Sequence, residues 1–164
     1  MARLDIVTFP NPMLARDCLP VGEIDAEIRT LAENMLETMY AAEGRGLAAP
    51  QVGHALRLFV MDEGWKERAP APRIFINPEI TWTSPETQIT AEGCLSIPGV
   101  EARVERPAQI HMRWTAIDGS PQEEDLHGFA AICAQHELDH LDGIITLDRI
   151  DRQTRLALIE EYRA

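Results

Sequence analysis

Residues Gln135 to Gly143, reading QHELDHLDG, constrain this chain more than any other stretch. His136, Glu137 and His140 form an H-E-x-x-H pattern, and four residues of helix make about one turn, so both imidazoles fall on one face. Two rings placed in this way grip a metal ion, with Glu137 beside them in reach of a water at that ion. The same letters also suit an amphipathic helix whose polar residues face solvent. One short motif does not separate these readings, so the remaining residues must.

At 164 residues the chain is long enough for one compact domain spanning 1–164 and short for two. With 45% hydrophobic and 26% charged residues it belongs with globular rather than disordered or fibrous chains. Fifteen Lys+Arg stand against 27 Asp+Glu, and the net charge of −12 repels phosphate backbones and anionic lipid. Neither direct nucleic-acid binding nor membrane attachment is expected, and the acidity serves solubility. Cys18, Cys94 and Cys133 are odd in number and lack a disulfide-framework spacing, which points to a reducing compartment. No leader-like run precedes Pro10 and no apolar span is long enough for a membrane helix, so a cytoplasmic protein is expected, and separately a monomer.

Along the chain, Leu4 to Phe9 suggest a short strand or extended arm closed by Pro10, Asn11 and Pro12. Ile28, Leu31, Met35 and Met39 recur at helical intervals, predicting an amphipathic helix from Ile24 that ends near Gly44 in a left-handed turn. The run GRGLAAPQ, Gly44 to Gln51, fits neither a simple helix nor a strand. It lacks the Lys-Ser/Thr ending of a phosphate loop, and its small residues suit close approach of another group to the backbone. Strands are expected at Leu56–Met61, at Arg73–Asn77 and Glu79–Thr83 around Pro78, and at Gln88–Ala91. Trp82 is expected to pack against the sheet. Further strands are expected at Ala102–Arg106, Gln109–Ile117 and Gln122–Leu126, the last two joined through the Asp118-Gly119 turn. His54, His111 and His127 lack partners at ligand spacing and read as surface or capping histidines. A helix over Phe129–Leu141 carries the H-E-x-x-H motif, and Arg152–Tyr162 form a last amphipathic helix with Leu156, Leu158 and Ile159 as its apolar contribution.

A catalytic metal commonly has three protein ligands. Cys133 shares the helix face with His136 but lies a further turn back, where a short side chain falls short of an ion between the two histidines. Cys94 comes from a separate segment framed by Glu92, Gly93, Pro98 and Gly99, which shape an irregular backbone. Its alternative is a buried thiol in a strand.

GRGLAAPQ, EGCLS (Glu92 to Ser96) and QHELDHLDG, in this order and spacing, closely resemble the three signature motifs of bacterial peptide deformylases. The resemblance covers essentially the whole chain. It implies an α+β fold, a compact single domain with antiparallel or mixed sheets packed around a central metal-binding helix. It also implies hydrolytic removal of the N-formyl group from the N-terminal methionine of nascent polypeptides, releasing formate. By position, Cys94, His136 and His140 would ligate one divalent metal ion, Fe(II) foremost, with Zn, Ni or Co as alternatives. Glu137 would be the acid–base residue, and the Gln51 side-chain amide and Leu95 backbone N–H the oxyanion donors. The substrate peptide would pair with backbone at Gly44, Arg45, Gly46 and Leu47, while Phe129, Ile132 and Cys133 are candidates for the methionine-pocket wall.

Two residues depart from the family pattern. Arg45 stands where an apolar pocket residue is usual, and Thr90 is more polar than expected, so both bear on substrate selectivity. Arg45 has an alternative role, pairing with a carboxylate on substrate or protein. From Asp148 to Ala164 four Arg balance four acids, which gives little support to ribosome contact through a basic tail. Competing readings are a zinc endopeptidase with a downstream His or Glu as third ligand, and a catalytically divergent relative that acts on or binds other N-acylated peptides.

Overall fold

In the computed structural model, which describes residues 2–164, strand β2 (Leu58–Met61) runs through the centre of the molecule and is buried throughout. Side chains alternate across a strand. Leu58 and Val60 therefore enter one core with Leu47, Ile76, Leu31, Met35 and Met39, while Phe59 and Met61 enter another with Phe75, Ile110, Met112 and Leu126. Helix α1 (Ala26–Ala41) covers the first face, and helix α2 (Gly128–Leu141) covers the second with Ala131, Ala134, Leu138 and Leu141. Met1 of the expected 1–164 domain lies outside the described residues.

The sheet between the helices is antiparallel. Its order is β1 (Gly46–Ala48), β2, β3 (Arg73–Thr83), β6 (Gln109–Thr115) and β7 (Pro121–His127). Strands β4 (Thr87–Cys94) and β5 (Ile97–Pro107) form a separate two-stranded ribbon whose turn is Leu95-Ser96. Helix α3 (Arg152–Arg163) lays Leu158, Ile159 and Tyr162 against Ile97, Val100 and Leu147. No helix among the described residues is long and apolar enough to cross a membrane.

Several local expectations are corrected. The two strands around Pro78 are one, β3, with a register shift between Ile76 and Glu79 that accommodates the missing proline donor. Asn77 takes the left-handed backbone there (φ 51°), and its side chain bonds both the N–H and the C=O of Val21. Glu43 (φ 59°), not Gly44, adopts the left-handed conformation after α1. Trp82 is half exposed, because it lies beyond β2, where β3 pairs with β6 alone. Leu156 is likewise exposed and adds nothing to the contact face of α3. Of the two readings of Leu4 to Phe9, the extended arm is the one observed. The Val7 N–H donates to the Gln51 carbonyl (2.7 Å) and the Phe9 N–H to the Ser96 carbonyl (2.8 Å), so one arm ties two otherwise separate site segments together.

Candidate metal centre

The polar residues of α2 do not face solvent, which removes the amphipathic surface-helix alternative. His136, Glu137, Asp139 and His140 are all buried. They are buried because α2 is covered on one side by the sheet and meets the β4–β5 ribbon through its charged groups. Cys94, at the ribbon's end, is carried toward the helix where the register shifts between Gly93 and Cys94. Ligand atoms of Cys94, His136 and His140 all lie within 4.8 Å of one another, and Cys94 Sγ is 3.4 Å from His140 Nε2.

The donor set fits a metal. One thiol and two imidazoles suit Fe(II), Co, Ni or Zn better than Mg or Ca, which prefer oxygen. His136 Nδ1 is 3.0 Å from Glu92 Oε1, an outer-shell contact that turns its other nitrogen toward the cluster. Burial disfavours the His136 cation, yet the Glu137 charge and contacts with Cys94 and Glu92 outweigh it and raise its pKa well above the usual value. The surroundings thus favour positive charge at the cluster. Burial, with the nearby His136 and Arg106 charges, pushes His140 well below its usual value and keeps it in the neutral ligand form.

Glu137 stands beside this cluster, its Oε2 4.0 Å from His136 Nε2, and its Oε1 is buried without a hydrogen-bond partner. Burial pushes its carboxyl up to about 7, against the lowering pull of His136. Gly46 makes room for it, since a Cβ at that position would meet Glu137 Oε2 at 2.6 Å. A Cβ on Gly44 would meet Leu95 at 2.6 Å. These two approaches are the physical reason for the two glycines in GRGLAAPQ. Gln51 is buried, its Oε1 accepts from the Ala48 N–H (2.9 Å), and its Nε2 donates to Ser96 Oγ (3.0 Å) and lies 3.7 Å from Cys94 Sγ.

A cavity of about 680 Å³ opens from Cys94, His136, Glu137, Gln51 and Leu95 to Arg45, Phe129, Ile132 and Cys133. Of the first motif's backbone, the Gly44 carbonyl accepts from Trp65 Nε1 (2.9 Å) and the Arg45 carbonyl from the Asp62 N–H (2.8 Å). Leu47 pairs with Val60 inside the sheet, so by antiparallel alternation Gly46 offers its peptide groups to the outer edge of β1. Arg45 pairs with a protein carboxylate, Glu67, at 2.7 Å. The Thr90 hydroxyl is buried without a partner. His54 and His127 stay apart from the cluster, and His111 pairs with Asp125 at 2.7 Å.

Sequence reasoning missed the frame behind His136. Arg106, almost fully buried, donates to both oxygens of Glu92 (2.6 and 2.9 Å) and to Asp139 (2.9 Å), and Arg149 closes on Asp139 at 2.7 and 3.0 Å. The only local signal was a pair of acids, Glu92 and Asp139, inside the second and third motifs.

An α+β fold with a buried His-Glu-x-x-His helix and a cysteine delivered from a β-ribbon defines a class of metal-dependent hydrolases. The sequence profile of the polypeptide deformylase family matches residues 3–156. A peptide deformylase of Phenylobacterium zucineum is 44% identical over 99% of this chain and 96% of its own length, and one of Rhodopseudomonas palustris strain BisA53 is 46% identical over 99% and 91%. Among solved structures, a peptide deformylase from Legionella pneumophila superposes with a TM-score of 0.93 at 33% identity, covering 99% of this chain and 94% of that one. The Ehrlichia chaffeensis peptide deformylase in complex with actinonin also gives 0.93, at 36% identity over 99% and 97%. The chain belongs to the polypeptide deformylase family.

Proposed function

We propose that this protein hydrolyses the N-formyl group from the N-terminal methionine of nascent polypeptides, releasing formate, with Fe(II) as its metal. One observation carries the reading: a sulfur–nitrogen–nitrogen cluster lies beside a buried carboxylate with an unpartnered oxygen, at the inner end of a peptide-sized cavity. A divalent ion held by Cys94, His136 and His140 supplies Lewis acidity and eases deprotonation of water at neutral pH.

The protein's own groups do the rest. Glu137 Oε1 accepts the proton of the attacking water and delivers it to the leaving amine nitrogen, a role suited to a carboxyl raised to about 7. As the formyl carbon becomes tetrahedral, the Gln51 amide N–H and the Leu95 backbone N–H donate to its oxygen, each worth roughly 3 kcal/mol. The bond from Ala48 fixes which way the Gln51 amide faces, and Nε2, which rests on Ser96 Oγ and near Cys94 Sγ, exchanges one of these contacts for the developing oxyanion. The substrate backbone extends along the outer edge of β1 at Gly46, and its first side chain enters between Arg45, Phe129, Ile132 and Cys133.

The test is formate release from formyl-Met-Ala-Ser by protein loaded anaerobically with Fe(II). Glu137→Ala is expected to retain the metal and lose about 10²- to 10⁴-fold in kcat. Wild-type release no greater than that of the variant overturns the reading.

A further inference from the structure

The site cavity has a neighbour, a surface cleft of about 450 Å³ bounded by Glu63, Gly64, Glu67 and Arg68. The two spaces share two side chains, Arg45 and Phe129. The Arg45 guanidinium lies 5.4 Å from the Phe129 ring centroid. Arg45 Nη1 and Nη2 donate to Glu67 Oε2 and Oε1 at 2.8 and 2.7 Å, and Nη1 also donates to the Glu63 carbonyl at 2.5 Å. Two parallel bonds hold the guanidinium in place, and its charge lies over the ring within cation–π range. The pair forms a wall shared by the two openings.

Along α2 the wall stands at a definite depth. His136, then Ile132 with Cys133, then Phe129 sit on successive turns of one face, each roughly 5.4 Å from the last. A side chain that runs from the reacting centre along Ile132 meets the Arg45–Phe129 layer at the next turn. A longer one requires the layer to move.

We infer that Arg45, set over Phe129 and pinned by Glu67, is a specificity-determining partition that limits the length of the substrate's first side chain. It admits unbranched chains of about methionine length and shuts longer ones out of the adjoining cleft. The assignment of that pocket to the first side chain rests on the deformylase reading; the partition itself rests on the shared wall.

Two peptide hydroxamates separate these, one with an n-butyl and one with an n-octyl first side chain, titrated calorimetrically into metal-loaded wild type, Arg45→Ala and Glu67→Gln. The wild type is expected to prefer n-butyl. Arg45→Ala joins the two spaces and shifts the affinity ratio toward n-octyl by at least about tenfold. Glu67→Gln shifts it the same way by a smaller factor, and an unmoved ratio there overturns the role given to Glu67. An unmoved ratio in Arg45→Ala overturns the partition. Formate release on the same preparations judges the activity separately. A shifted ratio without formate leaves the partition standing, and formate with an unshifted ratio leaves only the activity.

Discussion

Of the arginines that grip a carboxylate with two guanidinium nitrogens, Arg106 and Arg45 stand in opposite surroundings. The Arg106 side chain is 4% exposed and faces Glu92 and Asp139, themselves 5% and 10% exposed. The Arg45 side chain is 27% exposed and its partner Glu67 is 64% exposed. The chemistry is the same, but water decides what it is worth. At Arg106 no solvent can replace a lost partner, so the pairs lock the ribbon to α2 and hold Glu92 against His136. At Arg45 water and salt compete for every bond, so its pair adds little to stability even while it holds the side chain in position. One protein thus uses a single residue type for a buried inner frame and a solvent-exposed rim.

The comparison breaks most readily at Arg106. Arg106→Leu leaves Glu92 with His136 alone and Asp139 with Arg149 alone, and should lower the unfolding free energy by about 3 kcal/mol in urea titration. A loss below about 1 kcal/mol would put Arg106 on a level with a surface pair and end the contrast.

Gly46→Ala tests the inner region without touching a charge. The added methyl meets Glu137 Oε2 and displaces it, so kcat should fall about 10²-fold while metal content stays at the wild-type level. Loss of metal instead would mean that the methyl disturbs the histidines and not the carboxylate.

Acid should also act on the inner frame. Burial by itself would raise the Glu92 carboxyl, but hydrogen bonds from His136 and Arg106 hold it below its ordinary 4.5. A folded pKa below the unfolded one gives stability that is complete above 4.5 and is lost as pH falls through the folded value. Urea midpoints measured downward from about pH 6 should fall less steeply in Arg106→Gln than in wild type. Equal slopes would remove Arg106 as a cause of the Glu92 shift.

The smallest effect belongs to the rim. Glu67→Gln should shift the urea midpoint less than any variant above, and the difference should vanish in molar salt. A larger, salt-resistant loss would show the rim to be as rigid as the frame.

Much of this was legible locally. Helical spacing alone placed His136, Glu137 and His140 on one α2 face, because that geometry depends only on neighbours along the chain. A continuous apolar run marked β2, and Asp118-Gly119 marked the turn into β7. Local rules failed where a distant group intervened. Gly44 looked like a helix stop, but its smallness serves the Leu95 side chain from the ribbon, and Glu43 makes the turn. Pro78 looked like a strand break, but the Asn77 bonds to Val21, 56 residues away, hold one strand through it.

The order of the three motifs, the helix carrying two imidazoles and a carboxylate, and the small residues before Gln51 were already written in the chain. The meeting of Cys94 with His140, 46 residues apart, belongs to the fold. So do the Arg106 frame and the placement of Arg45 over Phe129. Backbone periodicity is a property of adjacent residues. Burial, which separates the locked arginine from the loose one, exists only when remote segments exclude water together.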